Sequence, residues 1–492
     1  MTPFAATFSG ADIIKALVLP ESFLESLSSV EAARVETDTR NLSPGAIFVC
    51  LKGERFDGHD YVLKAFEQGV ALVVVDEGYL LKHPEWEPMR AQIVAVPNTV
   101  EALLALARYH RRRSKATVVA VTGSSGKTTT KEMIQAGLSP LAKTQCSFKN
   151  HNNEIGVAQT LLGLQPDTEI LIVEMGMRGL HQIELLTKYA EPDVAVVVNV
   201  GPAHIGLLGS LDAIATAKCE IFSGLNPKTG IAIVNGDDAL LCQTAKKGWG
   251  KPLKQFSLGQ ASQIVPTEKG GMGFVYQNTH FEIPLPGEHM VSNALAAIAV
   301  GEACGYSPKD IARGLATVHS AEGRWSLLLA NETLNTWVIH DAYNANPASV
   351  KASLNVFLRD SFWGQAKQTP PQKMVILGGM NELGNHSEAY HRQLGSWLAA
   401  QPNLLDLLVL LGQESQWVLE GVLEGVNTVS QNPIPMTCLK NAETQTPEAL
   451  FQEFLNVCLE HNLSLANTVV LLKASRTYQL ENWIPFFKGA QH

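Results

Sequence analysis

The sequence lacks the features that mark secreted, membrane-spanning and metal-cluster proteins. Its seven cysteines among 492 residues are scattered, odd in number and without a CxxC pair, which argues against a disulfide framework or a zinc site. The longest apolar stretches fall far short of the roughly 20 residues that a membrane-spanning helix needs. No basic segment precedes an apolar run near the N-terminus, so no signal peptide is expected. These absences predict a cytoplasmic protein with reduced thiols and no membrane span.

A large positive patch is also missing. The formal net charge is −9, and the only short basic run is Arg111-Arg112-Arg113, which we interpret as a solvated loop or helix end. No nucleic-acid partner is therefore expected. An acidic chain that binds an anionic ligand must make its positive potential locally, from backbone amides and a few lysines or arginines.

The length of the chain and the alternation of its patterns predict three α/β domains, at residues 1–112, 113–322 and 323–492. Near-continuous apolar runs alternate with helical patterns and indicate mostly parallel sheets that are covered on both faces. The predicted strands are 46–51, 70–75, 117–121, 170–173, 194–199, 231–235, 336–339, 374–377, 407–411 and 468–472. A hairpin is predicted at 274–285, and helices at 100–109, 211–222 and 291–303.

The strongest local signal is a glycine-bearing turn between a predicted strand and a predicted helix. It comprises Gly123, Ser124, Ser125, Gly126, Lys127, Thr128 and Thr129. Glycines allow backbone N–H groups to converge on a phosphate, the helix N-terminus adds positive partial charge, and Lys127 adds a full charge. Thr128 is placed to offer a hydroxyl to Mg²⁺. Val121 stands where the longer phosphate-loop pattern has glycine, so a plain Gly/Ser turn is the competing interpretation.

Two further side chains are predicted at the same sheet edge. Glu174 ends an apolar strand, and His204 follows the strand that ends near Asn199. Ligands of open parallel sheets bind beyond the carboxyl ends of the strands, where a carboxylate suits Mg²⁺. The alternatives are a helix-capping glutamate and a structural histidine.

Lys218 falls on the apolar stripe of the predicted helix 211–222, seven residues after Leu211. A lysine on a core-facing stripe is costly unless it is paired or neutral. A neutral amine can capture CO₂ as a carbamate, whose negative charge would suit a second Mg²⁺. The alternative is that the side chain snorkels to the surface.

Together these motifs resemble the Mur ligase family over nearly the whole chain. The resemblance rests on the glycine-bearing turn and on the segments 37–59, 150–156, 174–176, 199–204, 341–347, 378–384 and 472–476, in the expected order. It implies a small UDP-sugar-binding N-terminal domain, a central ATPase domain with a phosphate loop and a Rossmann-like C-terminal domain.

The resemblance also implies an activity. We expect an ATP- and Mg²⁺-dependent ligase that joins D-alanyl-D-alanine to UDP-N-acetylmuramoyl-tripeptide (UDP-MurNAc-tripeptide) through an acyl phosphate, in peptidoglycan precursor synthesis. We expect a monomer. A sibling ligase of the family, a folylpolyglutamate synthase-like ligase and a phosphate-loop ATPase or kinase that forms no amide remain the alternatives.

The resemblance implies a role for each site residue. The catalytic residues would be Lys127, Glu174, His204 and Lys218, and the metal would be held by Thr128, Glu174, His204 and Lys218. ATP would contact the turn at residues 123–129 with Asn293, Arg324 and Asp341. The substrates would contact Thr39, Arg40, Asn152, Asn153, Tyr343, Asn344, Asn346, Ser475 and Arg476.

Two positions depart from the family pattern. His289 is followed by Met290 where the family usually has asparagine, and Ala474 replaces a glycine. Alanine fits there only if the backbone φ is negative.

Overall fold

The computed structural model describes residues 6–359, 371–401, 405–426, 435–439 and 444–490. Within these ranges, three main sheets lie in successive segments of the chain, 35–96, 117–256 and 326–473. They fall inside the three predicted domains, while the boundaries at residues 112 and 322 stay predictions. Among the described helices, none combines the length and apolarity that crossing a bilayer requires.

The N-terminal segment carries a parallel four-stranded sheet in the order β3-β4-β5-β6 and a small antiparallel pair, β1-β2. Its strands are β1 (Phe8–Ser9), β2 (Glu31–Ala32), β3 (Val35–Glu36), β4 (Ile47–Val49), β5 (Leu72–Asp76) and β6 (Ile93–Val96). Its helices are α1 (Gly10–Leu17), α2 (Phe23–Leu27), α3 (Val62–Glu67), α4 (Glu77–Leu80) and α5 (Thr99–Arg113). Single turns or short runs of 3₁₀ helix cover Thr39–Asn41, Gly58–Tyr61 and Pro84–Gln92.

Helix α5 ties this segment to the middle one, and here the interpretation of the basic run needs correction. The run does end a helix, but Arg111 contacts Asp193 at 3.1 Å, and Arg108 and Arg112 both contact Glu191. Opposite charges on the neighbouring segment therefore hold these arginines, and a purely solvated face is wrong.

The middle segment is built on a wholly parallel six-stranded sheet in the order β12-β11-β10-β7-β9-β8. The strands are β7 (Thr117–Thr122), β8 (Thr144–Cys146), β9 (Ile170–Glu174), β10 (Val194–Val197), β11 (Ile231–Asn235) and β12 (Lys254–Phe256). The central strands are buried along nearly their full length because helices cover both faces, which explains their continuous apolar sequence. β7 lies between β9 and β10, where the strand order reverses, so a ligand crevice is expected at its carboxyl end.

The helices around this sheet alternate with its strands. They are α6 (Lys127–Leu138), α7 (Glu154–Leu162), α8 (Gln182–Ala190), α9 (Ile205–Leu208), α10 (Leu211–Cys219) and α11 (Ala239–Trp249). The predicted helix 211–222 ends as an α-helix at Cys219 and continues as a 3₁₀ helix, Glu220–Gly224. A second 3₁₀ turn covers Leu258–Gln260.

An antiparallel sheet and two helices complete the middle segment. The predicted hairpin is confirmed as β14 (Met272–Tyr276) and β15 (Thr279–Ile283), and a strand that was not predicted, β13 (Ala261–Pro266), pairs with β14. Helices α12 (Glu288–Ala303) and α13 (Pro308–Leu315) pack on α6 and on one face of the parallel sheet. α12 therefore runs beside the helix that follows the phosphate loop.

The C-terminal segment carries a six-stranded sheet in the order β16-β17-β21-β18-β19-β20, parallel except for the edge strand β16. The strands are β16 (Ser326–Asn331), β17 (Thr336–His340), β18 (Gln372–Leu377), β19 (Leu407–Leu411), β20 (Met436–Leu439) and β21 (Thr468–Lys473). The helices are α14 (Pro347–Leu358), α15 (Ser387–Ala399), α16 (Ser415–Val426), α17 (Pro447–Glu460) and α18 (Ile484–Gly489). The 3₁₀ turns are Gly384–His386, Arg476–Tyr478 and Leu480–Trp483.

Candidate active site

The glycine-bearing turn joins β7 to α6 as predicted. Gly126 has φ +75° and caps the helix that begins at Lys127. This left-handed conformation suits glycine. A Cβ on Gly126 would lie 2.8 Å from Asn293 Oδ1, so glycine is also needed for space. The turn thus ends at a helix N-terminus, where the first backbone amides have no partner within the helix and favour an anion.

Asn199, to which the sequence assigned no role in the site, holds this turn in shape. Its Oδ1 accepts the Ser125 amide at 2.9 Å, and its Nδ2 donates to the Ser125 carbonyl at 3.1 Å. Ser124 Oγ in turn donates to the Gly201 carbonyl at 3.0 Å. The position of Asn199 directly beyond the end of a buried strand was the available signal.

Lys127 lies over the turn with its ammonium group against the Gly123 carbonyl, at 2.7 Å. Burial lowers the pKa of Lys127, and the carboxylate of Glu174 opposes that shift. A bound phosphate would give this ammonium a stronger, anionic partner than a carbonyl.

Glu174 is 1% exposed, and both of its carboxylate oxygens have partners. Thr128 Oγ1 donates to Oε2 and Asn152 Nδ2 donates to Oε1, each at 2.8 Å. Its backbone amide donates to Ser147 Oγ at 3.0 Å. Thr128 and Glu174, which were predicted to hold one metal ion, are therefore in contact, and Asn152 contacts the same carboxylate.

Lys131, four residues after Lys127, was not predicted to matter. It is fully buried, and its ammonium group donates to the carbonyls of Ser147 and Lys149, each at 2.8 Å. Those carbonyls belong to the segment that carries Asn152. Lys131 therefore fastens this segment to the helix of the phosphate loop, and sequence periodicity gave no sign of such a contact.

His204 lies at the same sheet edge, where its Nδ1 is 2.5 Å from Glu382 Oε2 of the C-terminal segment. The imidazole lowers the pKa of the Glu382 carboxyl. Glu382 was noted within a motif but was given no role. His204 belongs to the middle segment and Glu382 to the C-terminal segment, so the sequence could not reveal that the two side chains meet.

Lys218 is 1% exposed on α10, so snorkelling to the surface is wrong. Among the described residues, none forms a salt bridge or a hydrogen bond with its ammonium group. Burial, with a contribution from the positive charge of Lys127, moves the pKa of Lys218 well below its usual value. The amine therefore favours the neutral, nucleophilic form.

A cavity of about 1060 Å³ opens beyond the carboxyl end of β7, between the middle and C-terminal segments. Of the predicted site residues, its lining includes Ser124, Ser125, Gly126, Lys127, Thr129, Asn152, Asn153, Glu174, His204, Asn293, Arg324, Asp341, Tyr343, Asn344, Asn346 and Arg476. Residues more than 300 positions apart in sequence thus share one cleft.

The C-terminal segment touches the phosphate loop directly. Asn346 Nδ2 donates to Ser125 Oγ at 2.9 Å, while Asn346 Oδ1 caps α14 by accepting the Ser349 amide at 3.0 Å. One side chain therefore ends a helix of one segment and contacts the anion-binding turn of another.

An aromatic ring in contact with two cations is also part of the cavity lining. The guanidinium groups of Arg324 and Arg476 lie 4.5 Å and 5.8 Å from the centroid of the Tyr343 ring. Cation–π contact of this kind holds both arginines at the cavity. Asp341, in contrast, is engaged by the Lys473 ammonium at 2.8 Å and the Trp325 amide at 3.1 Å.

The two departures from the family pattern are accommodated. His289 lines the cavity near the buried Asn293, and burial lowers the pKa of His289 to about 4. Asn293 Nδ2 lies 3.9 Å from the Met290 sulfur. Ala474 is absent from the residues with positive φ, so alanine fits its backbone.

Some predicted residues do not line the cavity. Gly123, Thr128 and Lys218 are buried and are not among its lining residues. Ser475 is buried and its Oγ accepts the Asn381 amide at 2.8 Å. Thr39 and Arg40 belong to the N-terminal segment, where the exposed Arg40 side chain contacts Asp38 at 2.5 Å.

The donor set suits a triphosphate with Mg²⁺. Threonine hydroxyl and carboxylate oxygens are preferred by this cation. The described residues contain no group of three or more His, Cys, Asp and Glu side chains that could hold a metal alone. The predicted metal ligands are instead Thr128, Glu174, His204 and Lys218. Lys218 would bind the metal ion only after its amine is converted to the anionic carbamate.

Comparison with known proteins shows the family of the chain. The model of the Mur ligase middle domain matches residues 121–301, and that of the Mur ligase family catalytic domain matches residues 31–111. The chain belongs to the Mur ligase family.

Relatives and solved structures narrow the likeness within the family. The chain is 39% identical to the UDP-N-acetylmuramoyl-tripeptide–D-alanyl-D-alanine ligase of Bacillus subtilis strain 168, over 79% of this chain and 82% of that one. It is 36% identical to the enzyme of the same name from Escherichia coli K12, over 77% and 81%. MurF from Acinetobacter baumannii superposes with a TM-score of 0.82 at 28% identity, over 99% of this chain and 100% of that one. MurF from Thermotoga maritima in complex with ADP superposes with a TM-score of 0.75 at 25% identity, over 93% of this chain and 97% of that one.

Proposed function

We propose that the chain joins D-alanyl-D-alanine to UDP-MurNAc-tripeptide, with ATP converted to ADP and phosphate. The observation that carries the proposal is the cleft in which the phosphate loop, the buried Glu174 and the C-terminal segment meet. The likeness to curated ligases of this name, over more than three quarters of the chain, supports the choice of substrates.

ATP would bind with its phosphates on residues 123–128, because the backbone amides and the α6 N-terminus face the cleft there. Asn293 would contact the adenine, while Arg324 and Asp341 would approach from the C-terminal side. The Asp341 carboxylate is held in place by the Lys473 ammonium, so Asp341 would contact ATP without having to move.

Mg²⁺ would be held by Thr128 and Glu174 at one position, and by Glu174, His204 and a carbamylated Lys218 at a second. When bound, it would neutralise charge on the transferred phosphoryl group. The buried, unpaired amine of Lys218 supports the carbamate because it favours the neutral form that attacks CO₂.

The chain's own residues would then act chiefly by positioning. The tripeptide carboxylate would attack the γ-phosphorus and displace ADP, which requires two anions to approach each other. Lys127 and the turn amides offset that repulsion. The acyl phosphate is attacked by the amine of D-alanyl-D-alanine, and loss of phosphate leaves the amide.

The docked C-terminal segment would protect the acyl phosphate from water. Asn346 contacts the phosphate loop through Ser125, and Arg324 and Tyr343 line the same cleft, which supports this role. Asn152, Asn153 and Asn344 would contact the tripeptide, and Ser475 and Arg476 the incoming dipeptide. Thr39 and Arg40 would contact the UDP group.

We further propose three domains at 1–112, 113–322 and 323–492, a cytoplasmic location and a monomer. The N-terminal domain would bind the UDP-sugar, the middle domain ATP, and the C-terminal domain the amine substrate.

The direct test is to incubate the pure chain with ATP, Mg²⁺, UDP-MurNAc-tripeptide and D-alanyl-D-alanine, and to omit each component in turn. Mass spectrometry should detect the pentapeptide product only in the complete mixture. Phosphate release that needs neither the acyl substrate nor the amine would instead favour an ATPase. Product formed with a single amino acid in place of the dipeptide would favour a sibling ligase.

A further inference from the structure

Glu382 lines the same cavity and makes its contacts with residues outside the phosphate loop. Its Oε2 lies 2.5 Å from His204 Nδ1, and its Oε1 lies 3.6 Å from Arg178 Nε. Its backbone carbonyl accepts the Gly206 amide at 2.9 Å. All three partners belong to the middle segment, so one residue of the C-terminal segment contacts the middle segment through both its side chain and its backbone.

The backbone around this contact is unusual. Glu382 has φ +63°, a backbone conformation that residues other than glycine seldom adopt. Two residues later, Gly384 has φ +54°. Residues outside the common regions persist only where their surroundings hold them, and they concentrate at functional positions. The turn is therefore shaped to present Glu382 at the interface.

The two segments also approach each other too closely for a side chain. A Cβ on Gly206 would lie 2.5 Å from the Gly384 backbone nitrogen, and one on Gly384 would lie 2.7 Å from the Gly206 Cα. Gly206 is not among the residues with positive φ, so its own backbone does not require glycine. Glycine is required at position 206 because the backbone of the C-terminal segment leaves no space for a side chain.

We propose that Glu382 is a positioning residue, which orients the His204 imidazole toward the cleft only when the C-terminal segment is docked through Gly206 and Gly384. The proposal rests on the proposed function, because it concerns the histidine assigned to the metal. It makes assembly of that site depend on docking.

The physical reason lies in the two nitrogens of imidazole. A carboxylate beside Nδ1 favours the tautomer that carries its proton on Nδ1 and leaves the Nε2 lone pair free, so it selects both tautomer and ring orientation. Carboxylates that support a metal-binding histidine in this way are typically worth about 10- to 100-fold in metal affinity. With the segments apart, His204 would lose this partner.

The test measures Mn²⁺ binding to the full chain in the presence of ADP, by the electron paramagnetic resonance signal of free Mn²⁺. Glu382→Ala should weaken binding about 10- to 100-fold. Glu382→Gln, which keeps the shape and a hydrogen-bond acceptor, should weaken it less. Gly206→Ala should also weaken it and should enlarge the particle in small-angle X-ray scattering, although it changes neither Glu382 nor His204.

The double variant decides whether the two features act together. If docking works through Glu382, Glu382→Ala combined with Gly206→Ala should bind Mn²⁺ no more weakly than the worse single variant. Additive losses, or wild-type affinity in Glu382→Ala, would overturn the proposal. Should Glu382→Ala not fold, Glu382→Gln and Gly206→Ala decide it in the same way.

Two matched controls accompany these variants. Glu388→Gln removes a half-exposed carboxylate whose contact, Arg392, lies within its own helix. Gly248→Ala adds a methyl group where nothing lies within 4 Å. Both should bind Mn²⁺ like the wild type. The binding assay uses no acyl or amine substrate, so its outcome is separate from whether the wild-type chain forms the pentapeptide.

Discussion

The phosphate loop and the loops that meet it from the C-terminal segment form two halves of one cleft, but they are held in different ways. The phosphate loop is fastened within the middle segment, by Asn199 to Ser125 and by Ser124 to Gly201. The opposing half reaches the cleft through contacts between segments, Asn346 to Ser125 and Glu382 to His204.

This difference indicates that the phosphate loop keeps a fixed shape, while the opposing half depends on docking of the segments. A turn that is held by its own strands and helix keeps its shape whether or not the segments are docked. Contacts between segments exist only when they are docked, so they can report that state to the site. We therefore expect changes in the first half to remove the chemistry, and changes in the second half to reduce it.

The largest effect is expected for Lys127→Ala. It removes the one full positive charge of the phosphate loop, so kcat should fall about 100- to 1000-fold or more. Steady-state pentapeptide formation measures this, with thermal unfolding to show that the fold is intact. Lys143→Ala, which removes an exposed surface lysine paired with Asp167, is the matched control and should keep wild-type activity. A near-normal kcat in Lys127→Ala would contradict the expectation that changes in the phosphate loop remove the chemistry.

Lys218→Ala should rank next, with about a 100-fold loss, because the carbamate would be one of several charges near the phosphoryl group. Acetate or another short-chain carboxylic acid should restore part of the activity by supplying the missing anion. Activity should also depend on dissolved CO₂ in the wild type and not in the rescued variant. Wild-type activity in Lys218→Ala would refute the carbamate.

Asn346→Ser should have the smallest effect and tests the second half of the comparison. Serine still caps α14, so the thermal midpoint should hold. It is too short to donate to Ser125 Oγ as Asn346 does. Loss of one hydrogen bond of about 1 kcal/mol predicts a roughly fivefold lower kcat/KM for ATP. A loss as large as that of Lys127→Ala would erase the distinction between the two halves.

The features that local sequence predicted are those that depend on neighbouring residues. Strands β11 and β19 have the predicted bounds, and the other predicted strands differ by a few residues at their ends. The strands that were not predicted are β1, β2, β3, β6, β8, β12, β13, β16 and β20. Continuous runs such as Ile231–Asn235 are unambiguous because a buried parallel strand is apolar on both faces. β13 was missed because its residues are largely exposed and its pattern is irregular at a bulge.

The site followed the same division. Gly126, Lys127 and Thr128 were predicted because they are contiguous, and Lys218 because its place on an apolar stripe is a local property. Lys131 was missed because its partners are backbone carbonyls, which carry no sequence signal.

By itself, the sequence determined the parallel sheets, the glycine-bearing turn and the buried amine, because each depends on the order of nearby residues. Only the tertiary structure decided which distant residues complete the cleft. Glu382 meets His204, and Gly384 meets Gly206, across 178 positions of chain. Such contacts depend on how two separately folded sheets dock, and no local pattern of hydrophobicity or charge contains that information.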